Sequence, residues 1–190
     1  MTTLRKNKGL TLVLGGTGKT GRRVAERLKA KGHAVRIGSR SALPSFDWDN
    51  EKGWDAALKD VTAAYITYTP DLAMPGAADA IEAFAARAKR RGVKRLVLLS
   101  GRGEEEAQAC EQIVQNAGLE WTIVRASWFN QNFSEGAFVD MVLGGAITLP
   151  AGTQVEPFVD VDDIADVAVA ALSQDGHHGQ IYEVTGPRLM

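Results

Sequence analysis

Cysteine and histidine are scarce in this sequence, which has one cysteine, Cys110, and three histidines among its 190 residues. A single cysteine cannot form an internal disulfide bond, and it cannot build a cysteine-based metal site. The histidines do not cluster with carboxylates at helical spacing, so we expect no bound metal. The chain also lacks a run of 18 apolar residues and a signal-peptide pattern at its start. We therefore expect a cytoplasmic protein that does not associate with a membrane.

Negative charge is scarce in the first part of the chain. The formal net charge is −1, yet eleven of the 22 Lys and Arg residues lie within residues 1–40, together with a single acid, Glu26. Such a region can attract a polyanion, either nucleic acid or the phosphates of a nucleotide. The alternative is that most of these side chains form the exposed face of the first helix. We favour the helix face and predict no nucleic-acid partner, because no recognition motif accompanies the basic residues.

A glycine-rich turn follows the apolar run from Leu10 to Leu14, and a helical pattern begins near Thr20. Strand, glycine turn and helix in this order are the context of a phosphate-binding turn, in which free amide groups and the helix dipole face an anion. The predicted binding residues of the turn are Gly15, Gly16, Thr17, Gly18, Lys19, Thr20 and Gly21.

The glycine spacing narrows the kind of phosphate site. G-x-G-x-x-G fits from Gly16, and G-x-x-G-x-x-G fits from Gly15. A P-loop would need a glycine where Val13 stands, so an ATP-type site is excluded. Gly15 or Gly16 is expected to make the tight turn. Gly18 would let a pyrophosphate approach the backbone, and Gly21 would let the helix pack closely.

Strands and helices alternate along the whole chain, which predicts one α/β domain over residues 1–190 with a doubly wound, mostly parallel sheet of Rossmann type. The predicted strands are 10–14, 34–38, 63–68, 95–100, 121–125, 158–161 and 181–184. The predicted helices are 20–31, 51–58, 76–91, 104–117, 129–143 and 164–172. Asp162 or Asp163 is expected to cap the last helix.

The end of the second strand indicates the cofactor. An acid about 20 residues past the glycines would bind the ribose 2′-hydroxyl of NAD, but this chain has Ser39 and Arg40 there, and no acid before Asp47. A guanidinium matches a phosphate bidentately and keeps its charge. The alternative is an exposed arginine with no ligand. We predict NADP(H) as the cofactor, with NAD(H) less favoured.

Ligands of such a sheet lie outside the carboxyl ends of the strands. Applied to the predicted strands, this rule brings distant residues to one pocket. Besides the glycine turn and the Ser39–Arg40 pair, the pocket is predicted to contain Tyr68, Thr69, Pro70, Ser100 and the segment from Ala126 to Phe129.

Several stretches together resemble the NmrA-like family of atypical short-chain dehydrogenases/reductases. They occur in the family's order over nearly the whole chain. They are the Gly15–Gly21 turn, Phe46-Asp47-Trp48, Trp54-Asp55-Ala56-Ala57-Leu58, 120–125 (Glu-Trp-Thr-Ile-Val-Arg), 128–132 (Trp-Phe-Asn-Gln-Asn), 158–165 (Phe-Val-Asp-Val-Asp-Asp-Ile-Ala) and 182–187 (Tyr-Glu-Val-Thr-Gly-Pro).

The resemblance implies an NAD(P)-binding Rossmann domain. It places Asp47 and Trp48 near the adenine, and it places Thr69, Pro70 and the segment from Ser127 to Phe129 along the nicotinamide side. Some members of the family reduce quinones, azo compounds or other small acceptors with NADPH. Others bind the dinucleotide as redox sensors and act through a protein partner.

The chain departs from the resemblance in two ways. Ser100 stands where the serine of short-chain dehydrogenases belongs, but the helix after it has neither the tyrosine nor the lysine of the usual Tyr-x-x-x-Lys pair. The catalytic residues are therefore undefined by the sequence. The three glutamates that begin this helix, 104–106, could serve as catalytic acids, but we favour the alternative that they are acids stabilised by a helix N-terminus. The family also usually continues beyond Thr185 into a C-terminal substrate lobe, which we expect to be absent or truncated here.

Three functions remain, in order of preference. The first is an NADPH-dependent oxidoreductase acting on a quinone-like or other small conjugated acceptor. A quinone depends less on an acid of the enzyme, because water can protonate its reduced oxygens. The second is a non-catalytic NADP(H)-binding redox sensor with a regulatory protein partner. The third, a nucleotide-sugar epimerase, ranks last because it also needs the missing pair.

Overall fold

The sheet of this protein is built from six parallel strands. A computed structural model describes residues 9–136, 138–149 and 152–190. The strands lie in the order β2-β1-β3-β4-β5-β6, and every neighbouring pair is parallel. They are β1 (Leu10–Leu14), β2 (Val35–Gly38), β3 (Val61–Ile66), β4 (Arg95–Gly101), β5 (Glu120–Ala126) and β6 (Gln180–Val184). The predicted doubly wound α/β fold is confirmed, with an entirely parallel sheet.

Six α-helices connect the strands. They are α1 (Lys19–Ala30), α2 (Trp54–Ala57), α3 (Ala77–Arg90), α4 (Glu105–Asn116), α5 (Val139–Leu143) and α6 (Val161–Ser173). The helix predicted over 51–58 begins as a 3₁₀ turn, Glu51–Gly53, and continues as α2. No helix within the described ranges is long and apolar enough to span a membrane.

Two elements near the end of the chain differ from the prediction. In place of a helix over 129–143, a 3₁₀ turn (Asn130–Asn132) is followed by turns and then by α5; residue 137 lies outside the described residues. The predicted strand at 158–161 is reduced to a single parallel bridge between Phe129 and Val159. The segment is too short for a ladder because α6 already begins at Val161.

The cap of the last helix is also corrected. Asp160 is the N-cap residue, and its Oδ1 accepts a hydrogen bond of 2.8 Å from the amide of Asp162. The prediction of Asp162 or Asp163 assumed a later helix start. Asp162 lies in the first turn of α6, and its carboxylate pairs with Arg23 and Arg27 of α1.

Both faces of the sheet are covered, because alternate strand residues enter different cores. Leu12 and Leu14 pack with α3 and α4 on one face, whereas Val13 packs with α1 and α6 on the other. The same alternation separates Leu96 and Leu98 from Val97. A parallel sheet with helices on both sides explains why these strands read as continuous apolar runs.

Three arginines of the basic start of the chain pair with acids from later elements. Arg23 and Arg27 of α1 both pair with Asp162 of α6, and Arg23 also pairs with Glu135. Hydrogen bonding to Arg27 is the main cause that lowers the pKa of Asp162 below its usual value. Arg23 and Arg27 thus join α1 to α6, whereas the prediction placed them on an exposed helix face; Arg5, Lys6 and Lys8 lie outside the described residues.

The apolar core offers a direct stability test. Ile81 of α3 is fully buried, whereas Ile147 is 48% exposed. We expect Ile81→Ala to lower the free energy of unfolding by about 2–5 kcal/mol, because it removes buried methyl groups and leaves a cavity. The matched Ile147→Ala change should stay within about 0.5 kcal/mol. Urea unfolding of both variants, followed by circular dichroism, measures the difference; equal losses would contradict the described core.

Candidate functional site

The glycine turn follows β1, the strand that lies between β2 and β3 in the sheet. The strand order reverses at this point. β1 pairs with β2 on one side and with β3 on the other. The hydroxyl of Thr67, just past β3, donates to the carbonyl of Leu14 at 3.2 Å and so ties the ends of β1 and β3 together. Ligands of doubly wound sheets bind at such a switch point.

The first glycine of the turn is now identified. Gly15 has a φ of +60°, a conformation that residues with a Cβ rarely adopt, and a Cβ there would lie 2.3 Å from the Thr67 hydroxyl oxygen. The amide of Gly18 then donates back to the Gly15 carbonyl at 2.8 Å. The operative spacing is therefore G-x-x-G-x-x-G from Gly15.

The other two glycines of this spacing have different surroundings. A Cβ on Gly21 would lie 2.2 Å from the carbonyl oxygen of Gly15, so α1 begins in direct backbone contact with the turn. A Cβ on Gly18 would meet only that same oxygen, at 3.2 Å, and is otherwise unobstructed. Gly18 thus leaves an open approach to the backbone, as an anion would require.

The start of α1 is suited to an anion. Gly18 is its N-cap residue and supplies no side chain to the free amides, and the first turn contains no acidic residue. Free amide groups and the positive end of the helix dipole therefore face the open side of the turn. Lys19 adds a cation there, although its Nζ donates to Asn132 Oδ1 at 3.1 Å.

One cavity, of about 400 Å³, lies beside the carboxyl ends of β1 and β2, and we call it the β2-side cavity. Arg40 is exposed at its wall and forms no hydrogen bond or ion pair with the described residues. Of the predicted binding residues, this cavity is lined by Gly15, Thr17, Gly18, Ser39, Arg40, Asp47, Trp48 and Thr69.

Trp48 is held at this cavity by a cluster of aromatic rings. Its indole nitrogen donates to the carbonyl of Thr67 at 3.1 Å, and its ring lies 5.0 Å from Phe46 and 5.1 Å from Tyr68. The carbonyl of Asp47 accepts a hydrogen bond from the Trp54 indole at 2.6 Å. The Asp47 and Trp48 positions are therefore fixed by packing before any ligand binds.

A second cavity, of about 380 Å³, lies beside the ends of β3, β4 and β5, and we call it the β4-side cavity. The hydroxyl of Ser127 is 2% exposed there and has no hydrogen-bond partner among the described residues. A buried hydroxyl left in this state costs about 1–3 kcal/mol, which a ligand that hydrogen-bonds to it would recover. The predicted residues that line this cavity are Lys19, Tyr68, Pro70, Ser100, Ala126, Ser127, Trp128 and Phe129.

Three predicted binding residues line neither cavity. They are Gly16, Thr20 and Gly21, and all three are buried. A Cβ on Gly16 would lie 2.9 Å from both the Val13 carbonyl oxygen and the Ile37 side chain. The side-chain positions of Gly16 and Gly21 thus face the turn itself, and the predicted binding roles of the seven turn residues stay predictions.

Ser100 is tied to a buried ion pair. Its hydroxyl donates to Glu111 Oε1 at 2.6 Å, and Glu111, which is 1% exposed, forms two hydrogen bonds with Arg125, at 2.9 and 2.5 Å. These hydrogen bonds to Glu111 are the main cause that raises the pKa of Arg125 above its usual value. Because its proton is engaged with Glu111, Ser100 is a wall of the cavity and not a free donor.

The segment after β5 forms the far wall of the β4-side cavity. The amide of Asn130 donates to the Val159 carbonyl at 2.9 Å, and the Val159 amide donates to the Trp128 carbonyl at the same distance. Glu135 pairs with Arg22 and Arg23, both at 2.7 Å. Ion pairs from α1 therefore hold the wall that carries Trp128 and Phe129.

Sequence reasoning missed several residues of the two cavities. In the β4-side cavity these are Thr67, Asp71, Leu72, Leu99, Gly101, Arg102 and Asn132, and in the β2-side cavity they are Gly38, Ser41, Phe46 and Asp49. Glu104 also lines the β4-side cavity, and the sequence named it only among the glutamates that begin α4. Thr67, Ser41 and Arg102 lie one to three residues beyond the ends of β3, β2 and β4, and Gly38, Leu99 and Gly101 are among the last residues of their strands. The rule about carboxyl ends would have found them if it had been extended along the loops.

A glycine turn at the switch point of a parallel sheet, with one cavity on each side, defines a dinucleotide-binding α/β protein. Residues 15–175 match the family described as NAD(P)H-binding. The chain belongs to this NAD(P)H-binding family, and solved structures that include NmrA share its fold. The predicted NAD(P)-binding family is confirmed.

Relatives and solved structures agree with this assignment. The uncharacterized oxidoreductase YesF of Bacillus subtilis is 35% identical over 94% of this chain and 66% of its own length. The solved structure of a double mutant of NmrA has a TM-score of 0.74, and the match covers 95% of this chain and 67% of that one. The NADPH complex of Escherichia coli quinone oxidoreductase QOR2 has a TM-score of 0.70, and the match covers 95% of this chain and 70% of that one. Both are 21% identical and show the fold alone. The chain spans about two thirds of its relatives' length.

The roles of Gly18 and Gly21, the last two glycines of the spacing, can be distinguished by experiment. We expect Gly18→Ala to change stability by less than about 1 kcal/mol and to weaken NADPH binding at least about tenfold, because its Cβ meets little protein but occupies the anion approach. Gly21→Ala should lower stability by about 1–3 kcal/mol, because its Cβ clashes with the turn. Thermal unfolding and calorimetric titration give both quantities. A stable Gly21→Ala variant, or a Gly18→Ala variant that binds normally, would contradict these assignments.

Proposed function

We propose that this protein binds NADP(H) and is an NADPH-dependent oxidoreductase that reduces a quinone-like or other small conjugated acceptor. The observation that carries the proposal is the β2-side cavity, where the open backbone of Gly18 and the unpaired guanidinium of Arg40 face one space. Two anion-binding features in one cavity fit a dinucleotide that has both a diphosphate and a 2′-phosphate.

The residues present fit this cofactor along its length. The amides at the start of α1 would hold the diphosphate, and Ser39 and Arg40 would hold the 2′-phosphate. Asp47 and Trp48 would border the adenine. The two cavities lie on either side of the glycine turn, so a ligand that extends from the β2-side cavity across the turn reaches the β4-side cavity. The unpartnered hydroxyl of Ser127 supports a polar group of the cofactor there.

The β4-side cavity is where the nicotinamide would supply a hydride to the acceptor. Its aromatic lining includes Tyr68, Phe129 and Trp128, and the last is 48% exposed and stacks on Phe138 at 6.0 Å. Flat aromatic surfaces favour a planar conjugated acceptor. The quinone oxidoreductase with the same fold, solved with NADPH, adds support for this acceptor class.

Cofactor binding and turnover provide the test. We expect calorimetric titration to give an affinity for NADPH at least about tenfold above that for NADH, because a charge-assisted contact to the 2′-phosphate contributes about 1.5–3 kcal/mol. NADPH oxidation should then be seen with members of a quinone panel on the same sample. NADPH binding without NADPH oxidation by any acceptor would overturn the proposed oxidoreductase function. Equal affinities for NADPH and NADH would overturn the role proposed for Arg40.

A charge reversal at Arg40 sharpens the cofactor prediction. Arg40→Asp should weaken NADPH binding by about 10- to 100-fold, because it removes the phosphate partner and introduces repulsion. NADH binding should be unchanged or improved, since a carboxylate there can accept from the ribose hydroxyl. Arg90→Asp, at the exposed end of α3, is the matched control and should leave both affinities unchanged. A control that weakens NADPH equally would indicate a long-range charge effect.

The second candidate is a non-catalytic NADP(H) sensor that acts through a protein partner. The observation in its favour is α4, which contains neither Tyr nor Lys beside the engaged Ser100. This candidate predicts tight NADP(H) binding without turnover, together with a partner recovered by pull-down only in one redox state of the dinucleotide.

A further inference from the structure

The geometry points to Glu104 as the catalytic residue that delivers a proton to the acceptor in the β4-side cavity, an inference that rests on the proposed oxidoreductase function. Glu104 precedes α4 and lines this cavity. In typical short-chain dehydrogenases the Tyr-x-x-x-Lys pair supplies the proton. Glu104 lies in the loop between β4 and α4, and it would supply the proton in place of that pair.

The position of the carboxyl group is defined by Gly101, the last residue of β4. A Cβ built on Gly101 would lie 2.1 Å from Glu104 Oε2, so the carboxyl group lies directly over the strand end. The strand end is where the ligand of a parallel sheet is found. Glu104 is half-buried, and its carboxylate forms no hydrogen bond or ion pair with any described residue. It is therefore free to contact an acceptor.

The charges around Glu104 favour its protonated form. Burial is the main cause that raises the pKa of Glu104, and Asp71, in the loop after β3, and Glu106, in α4, raise it further. Two cations line the same cavity, but each has another partner: Lys19 donates to Asn132 at 3.1 Å, and Arg102 pairs with Glu183 at 3.4 Å. Neither forms an ion pair with Glu104 among the described residues.

The other protic groups of the cavity are worse donors. Ser100 donates to Glu111, and Thr67 donates to the Leu14 carbonyl. Burial raises the pKa of Tyr68, which makes its phenol a weaker acid than in the usual short-chain dehydrogenase site, where a lysine lowers it. Asp71, the other carboxyl group of the lining, is exposed and accepts a hydrogen bond of 2.8 Å from the Ala73 amide, and the free hydroxyl of Ser127 is a far weaker acid than a carboxyl group. Glu104 is thus the half-buried acid of this cavity whose carboxyl group has no hydrogen bond among the described residues.

The proton transfer balances with an α,β-unsaturated ketone as acceptor. A hydride from the reduced nicotinamide dinucleotide forms the C–H bond at the β-carbon, and the π-electron pair moves to the carbonyl oxygen. The O–H bond of Glu104 breaks as that oxygen gains the proton. The products are the oxidised dinucleotide, the enol form of the saturated ketone and the Glu104 carboxylate, which water protonates again.

Glu104→Gln is the primary variant, with Glu105→Gln, an exposed neighbour on α4, as its control. We expect Glu104→Gln to reduce kcat for an unsaturated ketone about a hundredfold or more while NADP⁺ affinity is kept. Quinone reduction should change little. The rate of the unmodified protein should fall as pH rises through the pKa of Glu104, which is higher than the usual value of about 4.3, and this fall should be absent in the variant.

Carboxyl NMR gives a second readout that needs no turnover. The signal of Glu104, assigned by its loss in Glu104→Gln, should titrate at lower pH with NADP⁺ bound than with NADPH bound, because the oxidised nicotinamide carries a positive charge. A titration that is independent of the cofactor's redox state would overturn the proposal, even if no acceptor is turned over. A pH profile kept in Glu104→Gln but lost in Tyr68→Phe would overturn it in favour of Tyr68. Absence of turnover with every acceptor would instead overturn the proposed function.

Discussion

The backbone contact between Gly21 and Gly15 determines where the first helix begins. With no side chain at Gly21, α1 starts against the carbonyl of the turn; any Cβ would force the two apart, since it would lie 2.2 Å from that oxygen. This contact places the free amides of α1 over the end of β1, between the two cavities. The same helix is joined to α6 by the ion pairs of Arg23 and Arg27 with Asp162.

Those ion pairs connect the glycine-turn end of the fold to the far wall of the β4-side cavity. Arg23 bonds both Asp162 of α6 and Glu135 of the segment after β5. Hydrogen bonding to Arg23 is the main cause that lowers the pKa of Glu135, so this wall keeps its charge at neutral pH. Arg22, Arg23 and Arg27 of α1 therefore join the glycine turn to α6 and to the far wall of the β4-side cavity.

The sequence predicted those parts of the fold that depend on residues close together in the chain. Glycine spacing located the turn, and apolar runs located all six strands of the described sheet. Their parallel pairing could be predicted because continuous apolar runs are typical of parallel strands that are covered on both faces. The helix over 129–143 was wrong because tertiary bonds override its apolar pattern: Gln131 bonds Asp160, and Asn132 bonds Lys19. Glu104 could be named only as one of three glutamates, since its placement over Gly101 depends on the path of a loop. The residue-level binding roles of the turn stay predictions.

The buried Glu111–Arg125 pair limits how this site can be redesigned. Introducing a tyrosine and a lysine on α4 would not by itself recreate an alcohol dehydrogenase, because Ser100 would still be bonded to Glu111. Replacing Glu111 to release Ser100 would leave Arg125 with only Glu183, at 3.2 Å, as its acidic partner. Removing one member of a buried ion pair costs about 3–5 kcal/mol. An exchange of proton donors in this fold therefore requires coordinated changes in β4, α4 and β5, so single substitutions pass through an unstable intermediate.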